Sequence, residues 1–267
     1  MKEIHTRFLS GLLYISLVLL AIFFSSYSFI TLYFIFGLLS IYEFQKLIHL
    51  KNAVTYIILL VFIIIFHFFQ IPLYVTVFFL MVTIATQLFL IKDLITIRII
   101  PMYEKRKYLT TIFFLITSFV FLTLIPFINS TYDPLLIAGP LFLIWTNDSF
   151  AYLIGKNYGK RKLLERISPK KTIEGFLGGL FFSLFAGLII GIYSDSLSLI
   201  SWIIISVIMS IFGTLGDLIQ SKFKRQAGVK DSGNLMPGHG GIFDRLDSII
   251  FASPFLYVFL QILNYVS

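Results

Sequence analysis

Apolar positions in this chain come in long unbroken blocks, not in the half-and-half stripes of a helix that lies between a core and water. A membrane-crossing helix needs roughly 20 apolar residues to pass a hydrocarbon layer of about 30 Å. Nine runs of that kind occur, near residues 8 to 25, 29 to 46, 53 to 70, 73 to 91, 108 to 128, 134 to 155, 173 to 194, 197 to 220 and 246 to 265. They predict an all-α, polytopic integral membrane protein with about nine transmembrane helices. The first run follows Lys2 and Arg7, as a signal peptide would. It is long for such a peptide and ends in Ser-Ser-Tyr without a small-x-small cleavage site, so it reads as an uncleaved span.

Composition agrees with the pattern: 58% of residues are hydrophobic, 31 are Phe, and 13% are charged. Charge adds an orientation, because Lys and Arg in short loops stay on the cytoplasmic side. Nine crossings from a cytoplasmic N-terminus put the C-terminus outside and place all 21 Lys and Arg residues in inside segments. The outside connections, near Ser25 to Ser28, Gln70 to Pro72, Asn129 to Asp133 and Tyr193 to Ser198, and the C-terminal Asn264 to Ser267, carry none. The net charge of +8 thus marks one membrane face, where anionic lipids or a polyanionic substrate are attracted, and calls for no nucleic-acid partner. Topology alone accounts for the run Glu104-Lys105-Arg106-Lys107. Cysteine is absent, which excludes disulfides and thiolate metal sites. No internal repeat and no soluble domain is evident, so 1–267 reads as a single membrane domain, with N-terminal spans over 1–130 and catalytic helices and loops over 134–267.

Ionisable groups inside a span are expensive and by default mark a site. Three places break the apolar rule: Asn147-Asp148 in the sixth run, Asp217 near the inside end of the eighth, and Asp244 with Asp247 where the ninth begins. Aspartate is too short to reach water from such depth, so each carboxylate needs a partner or a cation. The eighth and ninth runs form a hairpin, which puts Asp217 and Asp244 at similar depth, and Asp244 and Asp247 share a helix face. Two or three such oxygens suit a hard ion such as Mg²⁺, which also takes substrate phosphates. For Asp244 and Asp247 the alternative is simple compensation of a helix N-terminus.

The hairpin connection, Ser221 to Phe243, concentrates Lys222, Lys224, Arg225, Lys230, Asp231, His239, Gly240 and Gly241, and Arg245 follows. Glycine amides and cations are the parts of a phosphate cradle beside a metal. His239, set between glycines, reads as a turn residue or as a base. A second inside segment reads Ser168-Pro169-Lys170-Lys171-Thr172-Ile173-Glu174-Gly175. Ser168 and Pro169 predict the start of the seventh helix there, with Lys170, Lys171 and Thr172 around an anion-binding N-terminus or, alternatively, a capped positive-inside anchor. Gly175 and Gly179 predict close helix packing. Gly155 to Arg161 is not a Walker loop, since its glycine spacing is one short and no Ser or Thr follows the Lys.

These residues together resemble the signature of the phosphatidate cytidylyltransferases, or CDP-diacylglycerol synthases. Ser221, Lys224-Arg225, Lys230-Asp231, His239-Gly240-Gly241 and Asp244-Arg245-Leu246-Asp247 match its order and spacing, with Met236 where a Leu, Ile or Phe is more usual. Trp145 to Asp148 and Ser168 to Gly175 are also similar to family segments. The resemblance implies transfer of the cytidylyl group of CTP to phosphatidic acid, giving CDP-diacylglycerol and pyrophosphate, at the cytoplasmic face of the inner (plasma) membrane. It implies Mg²⁺ at Asp217 and Asp244, with K⁺ as a candidate second ion, Asp148 and Asp247 beside them, and Asp231 as an orienting group. Lys170, Lys171, Lys224, Arg225 and Arg245 would hold phosphates, with Asn147, Ser168, Thr172, Lys230, Gly240 and Gly241 as further cofactor-binding candidates. A homodimer is a candidate assembly. A CTP-dependent lipid-alcohol kinase would release CDP in place of pyrophosphate, and a cation-coupled transporter would turn over no nucleotide.

Overall fold

The computed structural model describes residues 2–129 and 131–266, with backbone alone for 2–5 and 266. Met1, Ser130 of the Asn129 to Asp133 connection and Ser267 of the C-terminal segment lie outside the described residues. The chain runs α1 (Lys2–Phe24), α2 (Ser26–Leu47), α3 (Val54–Phe68), α4 (Leu73–Thr96) and α5 (Glu104–Thr110). A π-helical stretch, Thr111–Ile116, joins α5 to α6 (Thr117–Leu124), and α7 (Leu135–Tyr158) follows. A short antiparallel hairpin, β1 (Lys162–Leu164) and β2 (Ser168–Thr172), leads to α8 (Ile173–Tyr193), α9 (Leu199–Gln226) and α10 (Phe243–Val266).

Each expected run coincides with helix, and serines cap the starts of two of them. Ser25 and Ser28 form a reciprocal capping box at the start of α2, and the Ser198 hydroxyl accepts the Ser201 amide at the start of α9. Seven helical stretches among the described residues are long and apolar enough to cross a bilayer, with α5 through Phe127 counted as one. The expected nine include two more. One is α3, whose 15 residues fall short of a full crossing, and the other is α7, which is long but carries the polar Thr146-Asn147-Asp148 sequence. The result is a helical polytopic membrane protein. Its outward faces hold large apolar side chains such as Phe24, Phe68, Phe181 and Ile200, as expected where lipid is the solvent.

The boundaries differ from expectation at two places that matter for the site. Ser168 and Pro169 do not start a helix; they lie in β2, and α8 begins after Thr172, whose hydroxyl accepts the Gly175 amide. β1 supplies a pairing partner, Lys162 opposite Thr172, which an N-cap signal in the sequence does not reveal. The eighth run also does not end near residue 220, since α9 continues to Gln226 and makes Lys222, Lys224 and Arg225 helical. That extension is anchored by Lys222, buried, whose Nζ donates to the carbonyls of Asp93 at 2.5 Å and Ile97 at 2.7 Å, capping the C-terminal end of α4.

The last four helices pack by small residues. A Cβ on Gly175 would lie 2.6 Å from the Ala151 carbonyl, and one on Gly179 2.6 Å from that of Asn147, so the G-x-x-x-G pair seats α8 directly against α7. Gly216 does the same for α9 against Asp247 and Phe251 of α10. The N-terminal half docks onto this unit through Phe44 of α2, whose ring meets Phe114, Phe223 and Phe243 edge-on at 5.3–5.8 Å.

Candidate active site

The site lies where α7, α9, α10, the hairpin and the Ala227 to Ile242 loop meet. Asp148 of α7, Asp217 of α9 and Asp244 and Asp247 of α10 all line one cavity of about 450 Å³, together with Trp145, Lys224, Asp231, His239 and Arg245. Asp217 and Asp244 thus face the same space, brought there by the α9–α10 hairpin. A second cavity, of about 300 Å³, is lined by Asn147, Ser168, Lys170, Lys171, Thr172 and again by Asp148 and Asp217. Those two aspartates are therefore a wall common to both cavities.

Each cavity brings a lysine to that carboxylate cluster. Lys171 Nζ lies 2.5 Å from Asp217 Oδ2, and Ser221 donates to the other oxygen at 3.1 Å. Burial lowers the pKa of Lys171, but the negative charges of Asp217 and Asp148 outweigh it and hold the ammonium above the ordinary lysine value. Lys224 Nζ lies 2.7 Å from Asp244 Oδ1, which also accepts from Gln220 at 3.0 Å. Asp244 Oδ2 takes the backbone amides of Ser232 at 2.8 Å and Gly241 at 2.9 Å. One buried carboxylate thereby ties α9 and α10 to both ends of the glycine-rich turn. Gly240 makes this possible: its φ is +87°, and a Cβ there would come within 2.8 Å of Asp244 Oδ2.

The other expected residues fall into place unevenly. Asp231 and Arg245 line the first cavity, and Arg245 reaches back to the His239 carbonyl at 2.7 Å. His239 Nδ1 lies 2.7 Å from the Ser10 hydroxyl, and burial with the nearby Arg245 and Arg7 charges holds its pKa below the ordinary imidazole value. Lys230 is exposed and lines neither cavity. Arg225 also stands outside them, donating to the carbonyls of Ile167 and Val229. The Gly241 amide is directed to Asp244, and the site of a Gly241 Cβ lies against Glu43, 2.2 Å from its carboxylate.

Glu43 was missed by the sequence reading. It lies on α2, is 1% exposed, and accepts from the Ser232 hydroxyl at 2.7 Å and the amides of Ile242 and Phe243 at 3.1 and 2.9 Å. It is an N-cap for α10 supplied by another helix. The available signal was the one used for the aspartates, an acid inside a predicted span. The N-terminal helices also reach the site through Ser10 and through Gly11, Tyr14 and Ile15, which line the first cavity.

Hard carboxylate oxygens facing a shared cavity are the donors that Mg²⁺ takes, and Asp148 and Asp217 both act on the single ammonium of Lys171. Among the described residues no group of three His, Cys, Asp or Glu is close enough to hold a metal by itself. That spacing fits an ion bound by one or two carboxylates and by substrate phosphates.

The fold and site together define a helical membrane protein with carboxylates and lysines gathered at one end of its bundle. Comparison with known proteins narrows the class. Residues 5–263 match the sequence profile of the Cytidylyltransferase family, and the chain belongs to that family. It is 48% identical over 123 residues to a phosphatidate cytidylyltransferase of Bacillus subtilis (strain 168), a stretch that covers 46% of each chain. A phosphatidate cytidylyltransferase of Staphylococcus aureus (strain COL) is 52% identical over 120 residues, covering 44% of this chain and 46% of that protein. The aligned stretches thus span about half the length of these relatives.

Proposed function

We propose that this protein transfers the cytidylyl group of CTP to phosphatidic acid, forming CDP-diacylglycerol and releasing pyrophosphate. The observation that carries the reading is the Asp148–Asp217 wall between two lysine-bearing cavities. Such a wall lets two phosphate-bearing substrates approach one carboxylate cluster from different sides. Family membership and the names of the relatives support the same chemistry.

In this reading a phosphate oxygen of the lipid attacks the α-phosphorus of CTP. A new phosphorus–oxygen bond forms, the bond to the bridging oxygen of the β-phosphate breaks, and pyrophosphate leaves with that electron pair. Lys224 and Arg245 hold the nucleotide phosphates in the first cavity, and Lys170 and Lys171 hold the lipid phosphate in the second. Asp231 and His239 orient groups in the first cavity. Asp217 and Asp244, with Asp148 and Asp247 beside them, are the residues to hold Mg²⁺, with K⁺ as a candidate second ion. Bound there, Mg²⁺ supplies neutralisation of the charge that develops on the phosphates. Lys171 and Lys224, each paired with an aspartate, are the cations that pass to phosphate when substrate and metal arrive.

Nine crossings with a cytoplasmic N-terminus, the site facing the cytoplasm of the plasma membrane, and CTP arriving from that side belong to the same proposal. It is supported by the segregation of all 21 basic residues. The test is to supply purified protein with CTP, phosphatidic acid and Mg²⁺ and follow both products. Lipid-linked CMP with pyrophosphate is expected, and Asp217→Asn or Asp244→Asn should lower turnover at least a hundredfold, about 2.7 kcal/mol or more of transition-state stabilisation. Release of CDP, or wild-type turnover in both variants, would overturn the reading.

A further inference from the structure

We propose that an acyl chain of the lipid acceptor lies in the apolar groove between α4, β1 and α9, and that this groove selects acceptors by chain length. The inference rests on the reading of phosphatidate as acceptor and extends it to where its hydrocarbon goes. A cavity of about 390 Å³ is walled by Ile95 of α4, Leu164 of β1, and Ile211, Leu215 and Leu218 of α9. It shares Leu163, Phe176 and Thr214 with the Lys170–Lys171 cavity, so the two adjoin across these three side chains.

The hairpin marks the seam between them. In β1, Leu164 lines the groove and Leu163 lines both spaces, while β2 places Ser168, Lys170 and Lys171 around the polar cavity. An occupant must therefore carry an anion at one end and hydrocarbon at the other. A nucleotide triphosphate does not meet that requirement, since the groove beyond Thr214 offers it no polar side chain. A phosphomonoester lipid does. Its phosphate pairs with Lys170 and Lys171 beside the Asp217 wall, and its chain follows the apolar surface of α9 without leaving the hydrocarbon phase. Ile95 and Ile211 are partly exposed on the outer surface of α4 and α9, which gives the chain a lateral entry.

The experiment uses the full chain in nanodiscs or mixed micelles, with saturating CTP and Mg²⁺, and compares dioleoyl with dihexanoyl phosphatidic acid. Ile211→Trp and Leu215→Trp fill the groove and should raise KM for the dioleoyl lipid about tenfold, equivalent to about 1.4 kcal/mol. KM for the dihexanoyl lipid and for CTP should stay at the wild-type value, which also reports that the variants are folded. Ile200→Trp, on the lipid-facing outer part of α9, should change neither. As a measurement independent of variants, a phosphatidate bearing a photoreactive group along its chain should label 94–95 or 211–218 of the wild-type protein. Excess phosphatidate should compete with that label, and phosphatidylcholine should not.

Equal changes for both lipids, no change, or labelling that only bulk lipid displaces would mean that the groove holds ordinary bilayer lipid and would overturn the inference. Failure of the wild-type protein to make lipid-linked CMP from either acceptor would instead remove the functional reading, and this inference with it.

Discussion

Glu43 illustrates how one side chain can govern a site it does not enter. Its carboxylate satisfies two amides at the start of α10 and the Ser232 hydroxyl, all in a buried setting ringed by the Phe44 contacts. Glu43→Gln keeps the shape but turns an amide N–H₂ toward donors, so thermal unfolding in detergent should show a loss of about 1–3 kcal/mol. Turnover should fall with it, because Asp244 and Asp247 stand in the first two turns that Glu43 caps. His239 gives a pH dependence. Its folded pKa lies below the ordinary 6.5, so as pH falls the unfolded chain takes up the proton first. Stability should therefore decline as pH drops from about 6.5 through the lower folded value. His239→Gln should flatten that part of a melting-temperature profile. The sequence made the aspartates legible because an acid in an apolar run is conspicuous. It did not disclose what their oxygens accept, since the four donors to Asp244 come from Gln220, Lys224, Ser232 and Gly241.

Helices were predictable as objects and less so at their ends. Capping serines and long apolar runs are local signals, whereas the extension of α9 past the expected boundary depends on Lys222 reaching the carbonyls of α4. The hairpin was unreadable for a similar reason: strand pairing joins Leu164 to Ser168 across a turn, and neither segment shows apolar alternation of its own. The close helix contacts, by contrast, follow from glycine. Gly216→Ala would put a methyl group 2.5 Å from Phe251 Cβ and 2.7 Å from the Asp247 carbonyl, both on α10. We expect it to destabilise the protein by about 1–3 kcal/mol and to slow turnover by moving Asp217 relative to Asp247. Gly213→Ala, whose nearest neighbour is 3.5 Å away, should be tolerated; comparing the two melting temperatures tests the packing account.

For the molecule as a whole, orientation is the property to test. If the basic residues all face the cytoplasm, a membrane-impermeant amine reagent should label Lys51, Lys105 and Lys230 in inside-out vesicles and leave them unlabelled in right-side-out ones. Lys222, buried against α4, should stay unlabelled in both. The sequence by itself determined that the chain is a helical membrane protein, and which carboxylates stand where hydrocarbon should be. Hydropathy, charge and capping act over a few residues and can be read in order along the chain. Only the tertiary structure decided that Glu43 and Ser10, far from the motifs in sequence, brace the Ala227 to Ile242 loop, and that Asp148 and Asp217 line two neighbouring cavities. Those arrangements depend on how close helices from both halves approach, and that distance is set by side-chain packing between segments that no local pattern relates.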